Sequence, residues 1–324
     1  MIPRLCNKHI KTRQKQHIIT KTMKQYIFPA LAALTLAACT NDEMTTATDG
    51  PVALKVNASI GTTDTRASGT QWSLYDQIGI STVDGTATSY ANVCYEWDGS
   101  SFTTPEDNAI YFQSSETVTF HAYYPFTGEP GTTVLPLTGV STDATNQTAE
   151  NQPLIDFLYA SGATASKDKP TVNFTGDHAF THRMSQITLT FIEGDDMNLS
   201  GSFSYTLGSL KLQGTFNPLD GTAAADDDVT AASLTINLTE VQPTSGSYIA
   251  PSLILFPQEV AGIPITVTVN GQDYTGTLTV KDGKLQSGNN YTWDITVSKS
   301  DMSVGDAEIK NWETVNNDGA TATM

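Results

Sequence analysis

GPVALKVNASIGTTDTRASGTQW (residues 50–72) opens the part of the chain that reads as folded. Val52, Leu54, Val56, Ala58 and Ile60 alternate strictly with Ala53, Lys55, Asn57 and Ser59. Successive side chains of a strand point to opposite faces, so this spacing predicts a strand over 52–60 with one apolar face. A polar run follows, with one arginine, Arg66. No further Lys or Arg occurs from Ala67 to Ser166. A protease that cuts after basic residues would therefore meet one dominant site just past a completed strand.

The same period of two continues nearly to the C-terminus, with few credible amphipathic helices. It predicts strands over 77–82, 93–97, 117–123 and 171–174, then over 186–192, 202–207, 210–216, 234–238, 252–256 and 263–269. The last group is 272–280, 290–297 and 309–312. Asp-Gly and Asn-Gly pairs punctuate them. Asn270-Gly271, between ITVTV and QDYTGTLTV, is the strongest hairpin signal because both residues tolerate positive φ. Short strands at this spacing imply an all-β chain of two antiparallel β-sandwiches. The small, polar, proline-terminated segment SGATASKDKP (161–170) is the expected boundary. Residues 67–165 would complete the first sandwich begun by 39–66, and 166–324 would form the second with a short polar tail.

At 324 residues with 39% hydrophobic content the chain is long enough for about two cored domains. Its charge is lopsided. Of 17 Lys and Arg, seven precede Cys39, and none of the 34 Asp and Glu do. Beyond Cys39 ten basic residues face all 34 acidic ones, and such a surface repels phosphate backbones, which excludes nucleic-acid binding. Of three cysteines, Cys6 and Cys39 lie in or beside a targeting region and Cys94 has no evident mate, so a disulfide framework is not expected.

MKQYIFPALAALTLAAC (23–39) has a basic start at Lys24, an apolar stretch too short for a permanent membrane span, and small residues before a cysteine. It reads as a signal peptide over 23–38, with Met23 as the start and 1–22 as an upstream mis-start. Leu36-Ala37-Ala38-Cys39 resembles the bacterial lipobox. Cys39 is then the expected lipid-bearing mature N-terminus, held in the outer membrane.

Catalytic patterns are thin. His178 and His182 have the spacing of a helical zinc pair, but an adjoining strand signal points to extended backbone, so no metal is expected. Asp226-Asp227-Asp228 lacks the spaced ligands of a calcium loop and reads as solvated. No GxSxG elbow, phosphate-cradling loop or CxxC pair occurs, and Cys94 reads as a small buried hydrophobe. Neither an enzyme nor a cofactor is indicated. Trp72, Trp97, Tyr123 and Tyr124 could form a sugar-stacking platform, although core positions are the commoner use of such residues.

Several stretches in order resemble the fimbrillins, subunits of type V pili: TRASGTQWSLYDQIGI (65–80), VTFHAYYP (118–125), DFLYASG (156–162), FTHRMSQITLTF (180–191) and GNNYTWDITVSKSDMSVGDAEIKNW (288–312). The resemblance implies two transthyretin-like sandwiches in a surface filament that mediates adhesion and biofilm formation. It implies export as a lipoprotein, cleavage by a surface trypsin-like protease at Arg66-Ala67, and removal of the strand carrying Val52, Leu54, Val56, Ala58 and Ile60. A neighbouring subunit's strand would refill the slot. The tail after Trp312, ETVNNDGATATM, makes a poor donor strand, which favours a tip or minor subunit over a stalk or anchor subunit. The rival of another class is a non-polymerising surface lipoprotein that binds glycans. No residue names a host or bacterial receptor.

Overall fold

The computed structural model describes residues 50–61, 71–83 and 88–312, without the side chains of Thr239 and Glu240. Cys39, Arg66, Ala67 and the tail beyond Trp312 lie outside the described residues. Strands dominate, and the helical pieces among the described residues are three-residue 3-10 turns.

The first half is built on an eight-stranded sheet. Its spatial order is Thr171–Phe174, Lys55–Ala58, Phe102–Thr103, Val93–Trp97, Gln77–Thr82, Val118–Tyr124, Leu158–Ala165 and Thr181–His182. The second half packs two sheets face to face. One carries Ser247–Ile249, Ser185–Glu193, Asn289–Val297 and Met302–Val304, and the other carries Ala232–Val241, Gly201–Leu210, Gly262–Val269 and Gln272–Thr279. Alternation sets the faces. In Gly262–Val269, Ile263, Ile265, Val267 and Val269 are buried while Pro264 is exposed. They meet Phe191, Phe203, Tyr205 and Trp293 in a core of their own. Asn270 and Gly271 both take positive φ, 49° and 85°, and close the tight hairpin between Val269 and Gln272.

Two pairings are parallel where the spacing had suggested antiparallel sheets throughout. Ser185–Glu193 runs beside Asn289–Val297 in parallel register from Gln186↔Asn290 to Glu193↔Val297. Lys55–Ala58 runs parallel to Thr171–Phe174. A parallel partner is far away in sequence, so local turn signals do not reveal it.

The segment expected as the boundary is not a linker. Leu158–Ala165 is a strand of the large sheet, antiparallel to Val118–Tyr124, and a tight turn with mutual Ser166–Lys169 backbone hydrogen bonds leads into Thr171–Phe174 of that same sheet. From Ala160 on its side chains are small on both faces: Ala160, Ala163 and Ala165 are buried while Ser161 and Gly162 are exposed. Apolar contrast, the signal by which strands are read, is therefore weak there. The chain changes sheet later, at residues 183–184, between Thr181–His182 and Ser185–Glu193. Cys94 is buried and disulfide-bonded, which corrects the expectation that it has no mate.

The halves are fused by more than a covalent crossing. Leu137–Ser141 of the first half pairs with Gln213–Asn217 of the second, which also pairs with Thr222–Ala225. Beneath them Phe157 stacks on Phe216, centroids 4.4 Å apart and planes 4° apart, within a cluster that includes Tyr123, Met184 and Phe256. Gln147 works as a buried rivet. Its Nε2 donates to Thr142 O and Ile254 O, both at 2.8 Å, and its Oε1 accepts from Ile254 N at 2.9 Å. Gln147→Ala would strand the Ile254 amide and carbonyl without partners. It is expected to lower unfolding stability by about 2–4 kcal/mol, read by urea denaturation.

Candidate functional site

The leading segment enters the first half as an interior strand. Val52–Ala53 pairs antiparallel with Tyr111–Phe112, and Leu54 N donates to Ile110 O at 2.8 Å. The strand then shifts neighbours. Lys55–Ala58 lies between Thr171–Phe174 on one side and Phe102 on the other. Lys55 N donates to Pro170 O at 2.8 Å and Ser59 N to Phe174 O at 2.9 Å. Ser59 O accepts from Phe180 N, and Gly61 N donates to Phe180 O. Without the segment, the carbonyls of Ile110, Pro170, Phe174 and Phe180 would lose their donors.

The five apolar positions share the inward face. Leu54, Val56 and Ile60 are buried, while Val52 and Ala58 are half-buried. Leu54, Val56 and Ile60, with Ala58 against them, pack with Phe102, Ile110, Phe112, Val172, Phe174 and Phe180 in one cluster. Burial of three branched side chains stabilises by about 5–9 kcal/mol at most. The outward face is polar, with Asn57 Nδ2 donating to Asn173 Oδ1 at 3.1 Å. Trp72, six residues after Arg66 in the sequence, reaches back to the segment. Its indole N–H donates to Ala58 O at 3.0 Å, and its ring meets Phe102, Tyr124 and Phe180 edge-on at 5.0–5.7 Å.

Where the segment ends, a cleft of about 770 Å³ opens between the halves. Ile60, Trp72 and Tyr124 line one side, and Thr188, Ser252 and Trp312 line the other. Asp76 sits in its wall with its carboxyl pushed above the usual range by burial, against the opposing pull of hydrogen bonds from Ser73 N (2.7 Å) and Tyr124 Oη (3.1 Å). Burial, helped by the Asp76 charge, drives the Tyr124 phenol far up in turn. Asp156 Oδ1 lies 2.8 Å from His182 Nδ1, and the His182 ring stacks on Trp312 at 4.1 Å with planes 6° apart.

The two histidines of HAFTH have separate partners, since His178 Nδ1 bonds Ser161 O at 2.9 Å. Among the described residues no group of three metal-ligating side chains comes together. Of the four aromatics considered as a sugar platform, Trp72 and Tyr124 line the cleft. Tyr123 is fully buried with its hydroxyl on Asn92 Oδ1, and Trp97 packs on Phe102. Asp156, His182 and Trp312 come from separate stretches of the chain, and no local pattern in the sequence marks their meeting.

The fimbrillin-like family model matches residues 65–312. Among solved structures, the chain is similar to a candidate cell adhesion protein of Bacteroides ovatus, at 29% identity and a TM-score of 0.70, over 82% of this chain and 100% of that one. It is also similar to a candidate cell adhesion protein of Bacteroides uniformis, at 23% identity and a TM-score of 0.58, over 81% and 99% respectively, a likeness of fold alone. No curated relative matches the chain.

Leu54→Ala removes a buried side chain from the leading segment and is expected to cost about 2–4 kcal/mol. Hydrogen exchange would locate the effect. Faster exchange is expected at the amides of Lys55, Ser59 and Gly61, with the amides around Trp293 unchanged.

Proposed function

The chain belongs to the fimbrillin-like family, and from that premise we propose that it is a structural and adhesive subunit of a bacterial surface fimbrium, assembled by strand exchange. The observation that carries this reading is the leading segment's interior position. A strand hydrogen-bonded on both sides, with its apolar face closing a core, leaves a slot when it goes. The slot would combine unpaired backbone groups with an apolar trough, which is the template an added strand needs.

In this reading the precursor is exported behind the signal of residues 23–38 and tethered to the outer membrane by lipid on Cys39. A surface trypsin-like protease hydrolyses the Arg66–Ala67 peptide bond. Before the cut, the segment is bound to its slot intramolecularly, at high effective concentration. Afterwards it competes as a separate chain against a strand of the next subunit. Lys55 is not a rival cleavage site while folded, because its backbone is fixed in the sheet. In this reading the subunit takes a tip or minor position, with the adhesive surface facing outward and contributing to biofilm formation.

Two measurements test the scheme. Purified protein carrying Cys39→Ser, treated briefly with trypsin, is expected to lose the residues before Ala67 and then to associate on size-exclusion chromatography. Arg66→Gln should block both events, and a cleaved protein that stays monomeric contradicts the scheme. Mass spectrometry of membrane-extracted precursor is expected to show Cys39 as a lipid-bearing N-terminus. An unmodified Cys39 removes that step.

A further inference from the structure

We propose that the cleft between the two halves is a binding site for a neutral oligosaccharide. Its volume of about 770 Å³ lies within the range of small-ligand sites and suits a short chain of sugar rings. The chemistry of its walls suits one too. The C–H faces of pyranose rings pack against aromatic rings, and their hydroxyls need donors and acceptors placed beside those rings. Here the rings are Trp72, Tyr124 and Trp312, and Asp156, Gln152 and Ser252 supply the polar groups.

The aromatic wall is pre-set. Trp312 lies flat on His182 at 4.1 Å, and Asp156 holds His182 at 2.8 Å. Trp72 is pinned by its bond to Ala58 O and by three surrounding rings. Rings already fixed lose little freedom on binding, which favours a weakly interacting ligand such as a sugar. Asp156 Oδ2 takes no hydrogen bond among the described residues, which leaves one carboxylate oxygen free to accept from a hydroxyl.

Charge narrows the ligand class. Asp76 and Asp156 line the cleft, and no Lys or Arg does among the described residues. A sialylated or sulfated glycan would place its anion against these carboxylates with no described Lys or Arg to offset it, and His182 is already engaged by Asp156.

The rim carries an independent sign of use. Ser73 and Asp76 line the cleft and bracket a turn in which Asp76 N donates to Ser73 O. At its third position stands Tyr75 with φ 74°, where glycine or asparagine would sit without strain. Tyr75 is 68% exposed, its neighbour Leu74 is 54% exposed, and the Tyr75 hydroxyl makes no hydrogen bond among the described residues. Tyr75 is not a lining residue, but a strained turn at the rim that exposes an aromatic side chain points to a role outside folding.

The test uses the intact, uncut monomer, so it is independent of strand exchange. Maltotriose, cellotriose, mannotriose, lactose and diacetylchitobiose are titrated at millimolar concentration, with 3′-sialyllactose as the anionic control. Tryptophan fluorescence and saturation-transfer NMR are the readouts. At least one neutral sugar is expected to bind saturably and sialyllactose not to bind. Trp312→Ala and Asp156→Asn should weaken that binding about tenfold. Tyr75→Gly relieves the turn, so it should hold or raise the melting temperature while weakening binding about threefold. The proposal is overturned if no neutral sugar binds the folded protein, or if binding survives Trp312→Ala and Asp156→Asn unchanged. Preference for sialyllactose, or for an arginine-rich peptide over every sugar, also overturns it.

Discussion

A strand held on both sides cannot leave a sheet without exposing both neighbours. Lys55–Ala58 lies between Thr171–Phe174 and Phe102, and Leu54, Val56 and Ile60 close the core beneath it. Backbone pairing and apolar burial therefore coincide in one short stretch near the start of the described chain. The polar outward face, with Asn57 bonded to Asn173, gives the stretch a single orientation. On the proposed reading the same pair of features works twice, first to complete the folded precursor and then to specify what can replace it. Any replacement must bring small or branched apolar side chains at alternate positions and leave its other face to solvent.

The rest of the molecule supplies a rigid frame for that exchange. A three-stranded sheet, the Phe157–Phe216 stack and the Gln147 bonds tie the halves together. Pulling on one half therefore loads the other through packed side chains as well as through the crossing chain. The cleft sits at this joint, and Ile60 and Trp72 belong both to its wall and to the leading segment's surroundings. Recognition and assembly, as proposed, share a wall.

Alternation made much of the fold legible. Gln77–Thr82, Val93–Trp97 and Thr171–Phe174 have the bounds that their spacing predicts, and Asn270-Gly271 turns the hairpin that its φ tolerance foretells. Where alternation is muted, the sequence misled. Residues 161–170 read as a linker because their side chains are small, yet 161–165 continue the strand Leu158–Ala165 and the change of sheet comes later. The two parallel pairings and the sheet joining the halves depend on partners distant in sequence. The cleft was legible only in fragments. Trp72 and Tyr124 stood out as aromatics, but Asp156, His182 and Trp312 acquire meaning only once folding stacks and pairs them. The family resemblance reached further than spacing could, because ordered motifs along 65–312 register a whole architecture.

The central claim is that the leading segment must depart for subunits to join. Asn57 and Asn173 face each other in register on the exposed side of the strand pair, which suits an engineered disulfide. In the double variant Asn57→Cys, Asn173→Cys, oxidation would lock the segment in place without altering Arg66-Ala67. The account predicts that the oxidised protein is cut by trypsin, keeps its leading segment and stays monomeric, while reduction restores association. Association of the verified, closed disulfide form at the rate of the unlocked protein would contradict it.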